Sequence, residues 1–276
     1  MVKICICFAL KFSRAIGAAV VMTMTILTLA ASAMPIPAKV SKCGTATINS
    51  VENSAIMTAA GRNQIQLASI KMPELWPQGA AYANWRHAAW AHDQLEGHVR
   101  GKAVELFCEG ETISYDDKKI AQILLPTGEW LQWLLVKQGA AFVFPRRDHL
   151  SGLEQLYAAE DDARDNGLGI WQTTKILTAD SLATNEGIRT GWFQVIRGTV
   201  LNAARVRSQI FLNFGTDWRQ DFTAEIPSNA MRAFRKADMD PMTLQSKYVE
   251  VRGWVTWKGG PHIMLEGPGQ IRLINP

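Results

Sequence analysis

The 276-residue chain has no marked excess of basic residues, which argues against one broad class of function. It carries 29 lysines and arginines against 25 acidic residues, a formal net charge of +4. Three of the cations, Lys3, Lys11 and Arg14, lie near the N-terminus, and without them 26 basic residues face 25 acidic ones, a net charge of +1. Non-specific binders of DNA or RNA gain affinity by neutralising phosphates and usually show a clear basic excess. The composition does not favour such a binder.

Long apolar runs are also scarce. One occurs at residues 16–29, and no other stretch is apolar for long enough to span a bilayer. The run follows the three N-terminal cations, and Ala31-Ser32-Ala33 supplies the small residues that a signal peptidase reads. We predict a signal peptide over residues 1–33, cleaved after Ala33, and hence a periplasmic or secreted bacterial protein. An uncleaved N-terminal membrane anchor is the alternative, because the run and the small residues that follow it, residues 16–33, approach the length of a membrane span.

The segment 65–74 is the most informative part of the chain. Its first six residues alternate between two faces, as in a β-strand, and the pattern breaks at Met72-Pro73, where proline cannot continue a sheet ladder. The pattern predicts a short strand that runs into a loop.

Five stretches, taken in order, resemble the staphylococcal-nuclease-like (thermonuclease) family. Residues 65–74 are similar to the family's "RL-x-G-I-D-x-P-E" strand and loop, and residues 101–106 look like its fourth strand. Residues 130–141 resemble the "N-x-x-L-V-x-x-G-x-A" helix. The closing "AE-x-x-A-R...G-x-W" is matched by residues 160–164 and 167–171. The order and spacing make the resemblance more specific than any one stretch.

For residues 42–172 the resemblance implies an OB-type barrel of five strands with three helices, within an α+β fold made mainly of strands. In such a barrel the first and fourth strands run antiparallel, with Cys43 at the start of one and Cys108 at the end of the other. The remaining cysteines, Cys5 and Cys7, lie in the predicted signal peptide. We expect a Cys43–Cys108 disulfide, as is common in exported proteins, and two unpaired buried thiols are the alternative.

The resemblance also implies which positions would form a nuclease site, and most of them carry a different residue here. In the family, two arginines hold the phosphate, a glutamate helps to activate water, and two aspartates ligate calcium. The glutamate is present as Glu74. The arginine positions carry Gln66 and Lys118, and the aspartate positions carry Ser54 and Lys71. The matched site is therefore predicted to be degenerate.

These exchanges remove the groups that calcium-dependent cleavage needs. Calcium takes oxygen ligands and relies on carboxylate charge, so the hydroxyl of Ser54 and the ammonium of Lys71 predict no metal site. Gln66 carries no charge, and Lys118 lacks the planar fork with which arginine grips two phosphate oxygens. Lys71 either supplies a positive charge in place of the metal or is a solvated loop lysine. We expect no cofactor, and calcium only if nuclease activity is retained.

The second half of the chain predicts another domain. Residues 173–190 lose apolar periodicity and are predicted to be a linker, followed by a domain over residues 191–276. A helix is predicted over residues 229–237, with Ser228 as its N-cap. Alternation predicts strands at 193–201, 208–214, 222–226, 248–255 and 263–266. Three strands, a helix and two strands are the order of a second, small OB-like barrel.

Three polar residues of the second half are tempting site candidates. Asp217 and Asp221 resemble paired carboxylates, but turn aspartates commonly bond their own backbone, and we interpret them as structural. His262 follows Gly259-Gly260-Pro261 and is interpreted as a lone turn histidine rather than a metal ligand.

Two functions from different classes remain open. The first, which we favour, is a binding or scaffolding module that recognises a protein, a glycan or a nucleic acid and has no membrane contact after signal cleavage. The second is a phosphodiesterase, an endonuclease on DNA or RNA, in which Glu74 orients water while Lys71 and Lys118 steady the phosphate. Other carboxylates, such as Glu52 and Asp117, would then have to converge on the site.

Overall fold

The computed structural model describes residues 34–53, 55–75, 86–147, 149–179, 187, 189–217 and 219–274. They belong to one compact unit, Ala33–Pro276. The predicted signal peptide and Ser54 lie outside the described residues. Within the described ranges, no helix is both long and apolar enough to cross a membrane.

The first half of the molecule is built around a closed barrel. Its elements are β1 (Ser41–Val51), β2 (Ile56–Ala59), β3 (Gln64–Leu67), β4 (Ile70–Lys71), α1 (Ala88–Val99), β5 (Ala103–Cys108), β6 (Lys119–Leu124), α2 (Leu131–Lys137), β7 (Phe142–Val143) and α3 (Leu153–Asp165). The barrel order is β1-β2-β3-β6-β5, with β3 and β6 parallel and the other neighbours antiparallel. The five-stranded barrel and the α+β class, mostly strands, are confirmed.

Alternating side chains fill the barrel. Ile65 and Leu67 of β3 are each 2% exposed and belong to one core with Met57 of β2 and Ile123 of β6, while Gln66 stays partly exposed. Strand residues alternate between faces, so one face of β3 is apolar and the other carries Gln66. The core therefore fixes the direction in which the candidate site residue points.

The strand predicted at residues 65–70 is interrupted by a turn at Ser69. Ser69 has a φ of 62°, and its hydroxyl donates a hydrogen bond to the carbonyl of His149 at 3.2 Å. The turn separates β3 from β4, which pairs with β7 outside the barrel. Alternation alone does not reveal a residue with positive φ, so the continuous strand was wrong.

The predicted disulfide is confirmed. Cys43 and Cys108 are bonded, with a Cα–Cα distance of 5.7 Å and a sequence separation of 65 residues. They meet because β1 and β5 pair antiparallel, with an irregularity between Lys42 and Gly44 that brings Cys43 beside the end of β5. Closing a loop of this length stabilises a fold by roughly 2–4 kcal/mol.

The second half forms one long sheet and a short helix. Its elements are β8 (Leu177–Thr178), β9 (Phe193–Thr199), β10 (Asn202–Val206), β11 (Gln209–Asn213), β12 (Thr223–Ile226), α4 (Met231–Lys236), β13 (Tyr248–Trp257), β14 (Pro261–Met264) and β15 (Ile271–Leu273). The order is β10-β11-β12-β14-β13-β9-β8, and β15 pairs with β13. β12 and β14 are parallel, as are β3 and β6 of the barrel. Among the described strands, hydrogen bonds close a barrel in the first half only, so the second OB-like barrel stays a prediction.

Several sequence predictions for the second half need correction. The predicted strands do not include β10, which lies between the strands predicted at 193–201 and 208–214, or β15. The helix is shorter than residues 229–237 and is preceded by Ala230, so Ser228 is not its N-cap. Part of the predicted linker is ordered as β8, which pairs with β9 and places Ala179 in the second core.

The two halves share an apolar contact. Phe142 of β7 and Trp171 lie in one cluster with Phe193 and Val195 of β9. The ring centroid of Phe142 is 5.2 Å from that of Trp171 and 5.2 Å from that of Phe193. The second half is thus packed against the strand that pairs with β4.

A buried ion network completes this junction. Arg252 of β13 is fully buried and pairs with Glu160 of α3 at 2.8 Å and with Glu250 of its own strand. Its Nη1 also donates a hydrogen bond to the carbonyl of Val143 at 2.7 Å. Its guanidinium lies 4.6 Å from the ring centroid of Tyr157. Glu160 belongs to the closing family motif, so a motif residue of the first half binds the second half.

A second arginine extends the network. Arg272 of β15 donates hydrogen bonds to both carboxylate oxygens of Asp161, at 2.9 and 2.6 Å, and to Glu250 at 2.8 Å. Its guanidinium also lies close to the ring of Tyr157, 4.4 Å from the centroid. The Tyr157 hydroxyl donates to the carbonyl of Gly269. Charge and hydrogen bonding therefore fix α3 against β13 and β15.

We predict that Arg252→Met lowers the free energy of unfolding by roughly 3–5 kcal/mol, because it leaves Glu160 and Glu250 buried without their shared cation. Urea denaturation of the parent and variant measures this. The matched control is Arg232→Met at an exposed position of α4, which should change stability by about 0.5 kcal/mol or less. Equal effects of the two substitutions would contradict the role given to Arg252.

The network also predicts a pH dependence. Burial would raise the pKa of Glu250, but Arg252, Arg272 and Arg197 outweigh it and lower the pKa to about 2 from 4.5. A carboxylate with a lowered pKa in the folded state stabilises the fold above its unfolded pKa, and that contribution is lost as pH falls from 4.5 through about 2. The contribution is about 3 kcal/mol at neutral pH.

Burial raises the pKa of Glu160, although Arg252 acts to lower it. Protonation of Glu160 at low pH therefore favours the folded state, opposite to the effect of Glu250. The Glu250→Gln variant isolates the Glu250 contribution. It should be less stable than the parent at pH 7 and should lose less stability between pH 5 and pH 2. Parallel stability curves for the parent and the variant, measured by urea denaturation across this range, would rule out the assignment.

Candidate functional site

The candidate site is centred on β4 and the loop that follows it. Lys71 ends β4 and pairs in register with Phe142 of β7. After Met72-Pro73 the chain brings Glu74 back, and the Lys71 ammonium donates a hydrogen bond to Glu74 Oε1 within an ion pair. The side chains are only 15% and 14% exposed. Glu74 is thus neutralised by Lys71, which the resemblance matches to one of the family's aspartate positions.

A second hydrogen bond holds this loop to the β1–β2 connection. The backbone N–H of Leu75 donates to Asn53 Oδ1 at 2.7 Å. Asn53 precedes Ser54, which the resemblance matches to the other aspartate position. The fold therefore brings the connection that carries Ser54 next to the Glu74 loop, although the Ser54 side chain is outside the described residues.

The second half covers Lys71. The Lys71 ammonium lies 4.9 Å from the ring centroid of Trp254 on β13, and Trp254 contacts Phe193 edge to face at 6.1 Å. Burial lowers the pKa of Lys71, while Glu74 acts to raise it. The alternative of a solvated loop lysine is therefore wrong. Trp254 supplies an electron-rich ring to a partly desolvated cation.

Gln66 and Lys118 lie on neighbouring strands of the barrel. Gln66 of β3 is in register with Ile120 of β6, and Lys118 immediately precedes β6. The Lys118 ammonium is paired with Asp116 in the preceding turn, and its side chain is 13% exposed. No ion pair among the described residues joins Lys118 to Glu74. The structure brings Lys71 and Glu74 together and leaves Lys118 in its own local pair.

These residues do not fit a calcium ion. Calcium needs several oxygen ligands with carboxylate charge, whereas the position beside Glu74 holds an ammonium. Glu52, one substitute carboxylate, accepts a hydrogen bond from Thr58 at 2.7 Å within the β1–β2 hairpin. Asp117 is the other carboxylate that could replace a missing aspartate, and it lies in a turn with a φ of 59°. Neither forms a described ion pair or hydrogen bond with the Glu74 loop.

One other group of side chains has metal-ligand types in proximity. His92, Asp93 and Glu96 of α1 offer ligand atoms within 4.8 Å of one another. Glu96 is already paired with Arg100 at 2.8 Å, and His92 Nε2 lies 3.3 Å from the carbonyl of Val51. The group is explained by local helix and barrel contacts.

The polar candidates of the second half have structural roles. Asp221 Oδ2 accepts from the N–H of Asp217 at 2.7 Å, and Asp217 Oδ1 accepts from the N–H of Arg219 at 3.0 Å, so both form turn bonds as interpreted. His262 is not in a turn. It lies in β14, is 4% exposed, and contacts Glu225 through Nε2 at 2.9 Å.

Trp254 is the site residue that sequence reasoning missed. The strand predicted at 248–255 places Glu250, Arg252 and Trp254 on one face, opposite an apolar face that contains Val249 and Val251. Two charges on one face of a predicted strand, opposite an apolar face, indicate a polar partner. That signal was in the sequence, but it did not identify α3 and β4 as the partners.

Comparison with known families supports the family resemblance of the first half of the chain. Residues 64–173 match the family model described as staphylococcal nuclease homologue. The match begins at β3 and ends after α3, and the closed barrel adds β1 and β2 before it. No curated protein matches the chain.

We predict that Lys71→Met destabilises the fold by about 1–3 kcal/mol, because it leaves the carboxylate of Glu74 largely buried without its cation. Methionine keeps much of the lysine's apolar stem beneath Trp254. The double variant Lys71→Met with Glu74→Gln should lose less than Lys71→Met alone, since the unpaired charge is gone. Chemical denaturation of the three proteins measures this, and an equal or larger loss in the double variant would disprove the coupling.

Proposed function

We propose that this protein, whose residues 64–173 carry a domain of the staphylococcal nuclease homologue family, is an exported binding or scaffolding module with a degenerate nuclease site. The observation that carries the proposal is the pairing of Glu74 with Lys71 beneath Trp254. A glutamate held by an adjacent ammonium is poorly placed to activate water, and the ammonium excludes a divalent cation from the same position.

The second half of the chain supports a binding role. Its ion network with α3 holds Trp254 over the loop that would carry catalysis. A nuclease needs this loop accessible to a phosphodiester, whereas a binding module can use it as a packing surface. Fold alone does not select a ligand, because OB-type barrels bind several classes of polymer. The partner classes proposed are a protein, a glycan or a nucleic acid.

Export is proposed on two grounds. The N-terminal 33 residues have the charge and apolar pattern of a signal peptide. The Cys43–Cys108 disulfide agrees with an oxidising compartment such as the periplasm, because disulfides are rare in the cytosol of most bacteria.

The proposed function is tested by incubating the mature protein with single-stranded DNA and RNA, with and without calcium or magnesium. We expect no cleavage by the parent, by Glu74→Ala or by the matched control Glu154→Ala, an exposed carboxylate on α3. Cleavage by the parent and by Glu154→Ala that disappears in Glu74→Ala would instead establish a rewired phosphodiesterase. Cleavage that persists equally in all three would indicate a contaminating nuclease, and a repurified sample must then be inactive.

A further inference from the structure

A cavity of about 580 Å³ lies where the two halves meet. Pro73 of the Glu74 loop and Phe142 of β7 line it from the first half, and Phe193 of β9 lines it from the second. Cavities of about 300–1,000 Å³ are typical of small-molecule sites, and such sites often occur at junctions between packed units. The cavity adjoins the Glu74 loop through Pro73, but neither Lys71 nor Glu74 lines it.

The cavity wall is positively charged. Arg86, Lys175 and Arg189 line it, and none of the described lining residues is acidic. All three cations are exposed side chains that form no ion pair with the described part of the chain. In a chain whose net charge without the N-terminal cations is +1, three cations around one cavity, none paired with a described acidic residue, favour an anionic occupant.

One buried atom of the wall lacks a partner. The Nε2 atom of His87 is buried and has no hydrogen-bond partner among the described residues. Buried polar atoms are nearly always hydrogen-bonded, so an unpartnered nitrogen on a residue that lines a cavity favours a ligand group beside it. His87 lies next to Arg86, and together they supply a hydrogen bond and a charge from the same short segment.

The cavity also has aromatic walls. Trp192 and Phe193 line it, and the Arg189 guanidinium lies 5.1 Å from the ring centroid of Trp192. Gln194 orders this segment, since its Oε1 accepts from the N–H of Arg189 at 3.0 Å and its Nε2 donates to the carbonyl of Gly187 at 2.8 Å. Aromatic rings beside a cation suit a ligand that combines a planar ring with negative charge.

We infer that this cavity binds a small anion that carries an aromatic ring. Arg86, Lys175 and Arg189 hold the phosphate or carboxylate, His87 Nε2 supplies a hydrogen bond, and Trp192 and Phe193 contact the ring. The inference rests on the proposed binding function and deepens it by naming a ligand class. A phosphate ester and a carboxylate share this chemistry, so the experiment separates them.

The test is calorimetric titration of the mature protein with phenyl phosphate and with benzoate. At least one should bind with a Kd of about 1 mM or tighter. Inorganic phosphate and phenol, which each present half of the ligand, should bind at least about tenfold more weakly than the better probe. Tighter binding of phenyl phosphate would identify a phosphate site, and tighter binding of benzoate a carboxylate site.

Arg189→Gln should raise the Kd of the better probe roughly tenfold, as expected for the loss of one charged hydrogen-bond donor. Arg232→Gln, which removes the same charge at an exposed position of α4, should bind like the parent. Trp192→Leu provides a second variant and should also weaken binding, and thermal melting confirms that each variant is folded.

Failure of both probes to bind would overturn the inference, as would equal affinity in the Arg189→Gln variant or equal binding of phenol. These outcomes are distinct from failure of the proposed function, which is judged by cleavage of DNA or RNA. A protein that cleaves neither polymer and binds neither probe would retain the proposed function and lose this site.

Discussion

The arrangement of the two halves depends on a single buried cation, Arg252. Its partners come from α3 of the barrel half, through Glu160, and from its own strand, through Glu250. A buried arginine is tolerated only when its charge and hydrogen bonds are compensated, and here the compensation requires both halves. The direction in which β13 presents its side chains follows from that requirement.

Trp254 reaches the candidate site for the same reason. Residues two apart on a strand face the same side, so a strand that buries Glu250 and Arg252 against α3 places Trp254 at the next position on that face. There it meets the ammonium of Lys71. The cover over Lys71 is therefore a consequence of strand geometry and of the ion network, and no separate loop is needed to provide it.

The barrel could be predicted from the sequence because its strands show the alternation of apolar and polar or small residues that is typical of β-strands. Ile65 and Leu67 alternate with polar or small residues, and the family resemblance supplied the pairing that no local pattern contains. Strand β10 was missed because Asn202-Ala203-Ala204-Arg205 has weak strand propensity and gains its structure from pairing with β11. The interruption at Ser69 was missed because positive φ at a non-glycine residue depends on distant contacts.

The family resemblance assigns site positions to particular residues, but it does not predict the surroundings of their side chains. The exchanged residues at positions 66, 71 and 118 could be read from the sequence, and so could the retention of Glu74. The burial of Lys71 could not, because Trp254 lies far along the chain and reaches the site only through the docked sheet. The position of His262 within β14, rather than in a turn, likewise depends on pairing with β12 and β13.

The shared cluster of Phe142, Trp171, Phe193 and Val195 has a practical consequence for dissecting this molecule. A fragment that ends before β9 would keep the barrel but expose the rings of Phe142 and Trp171 and leave Glu160 without its arginine. Such a surface favours self-association. The barrel half of this protein is therefore a poor candidate for isolated expression, and a soluble fragment would need substitutions on the face that β9 and β13 normally cover.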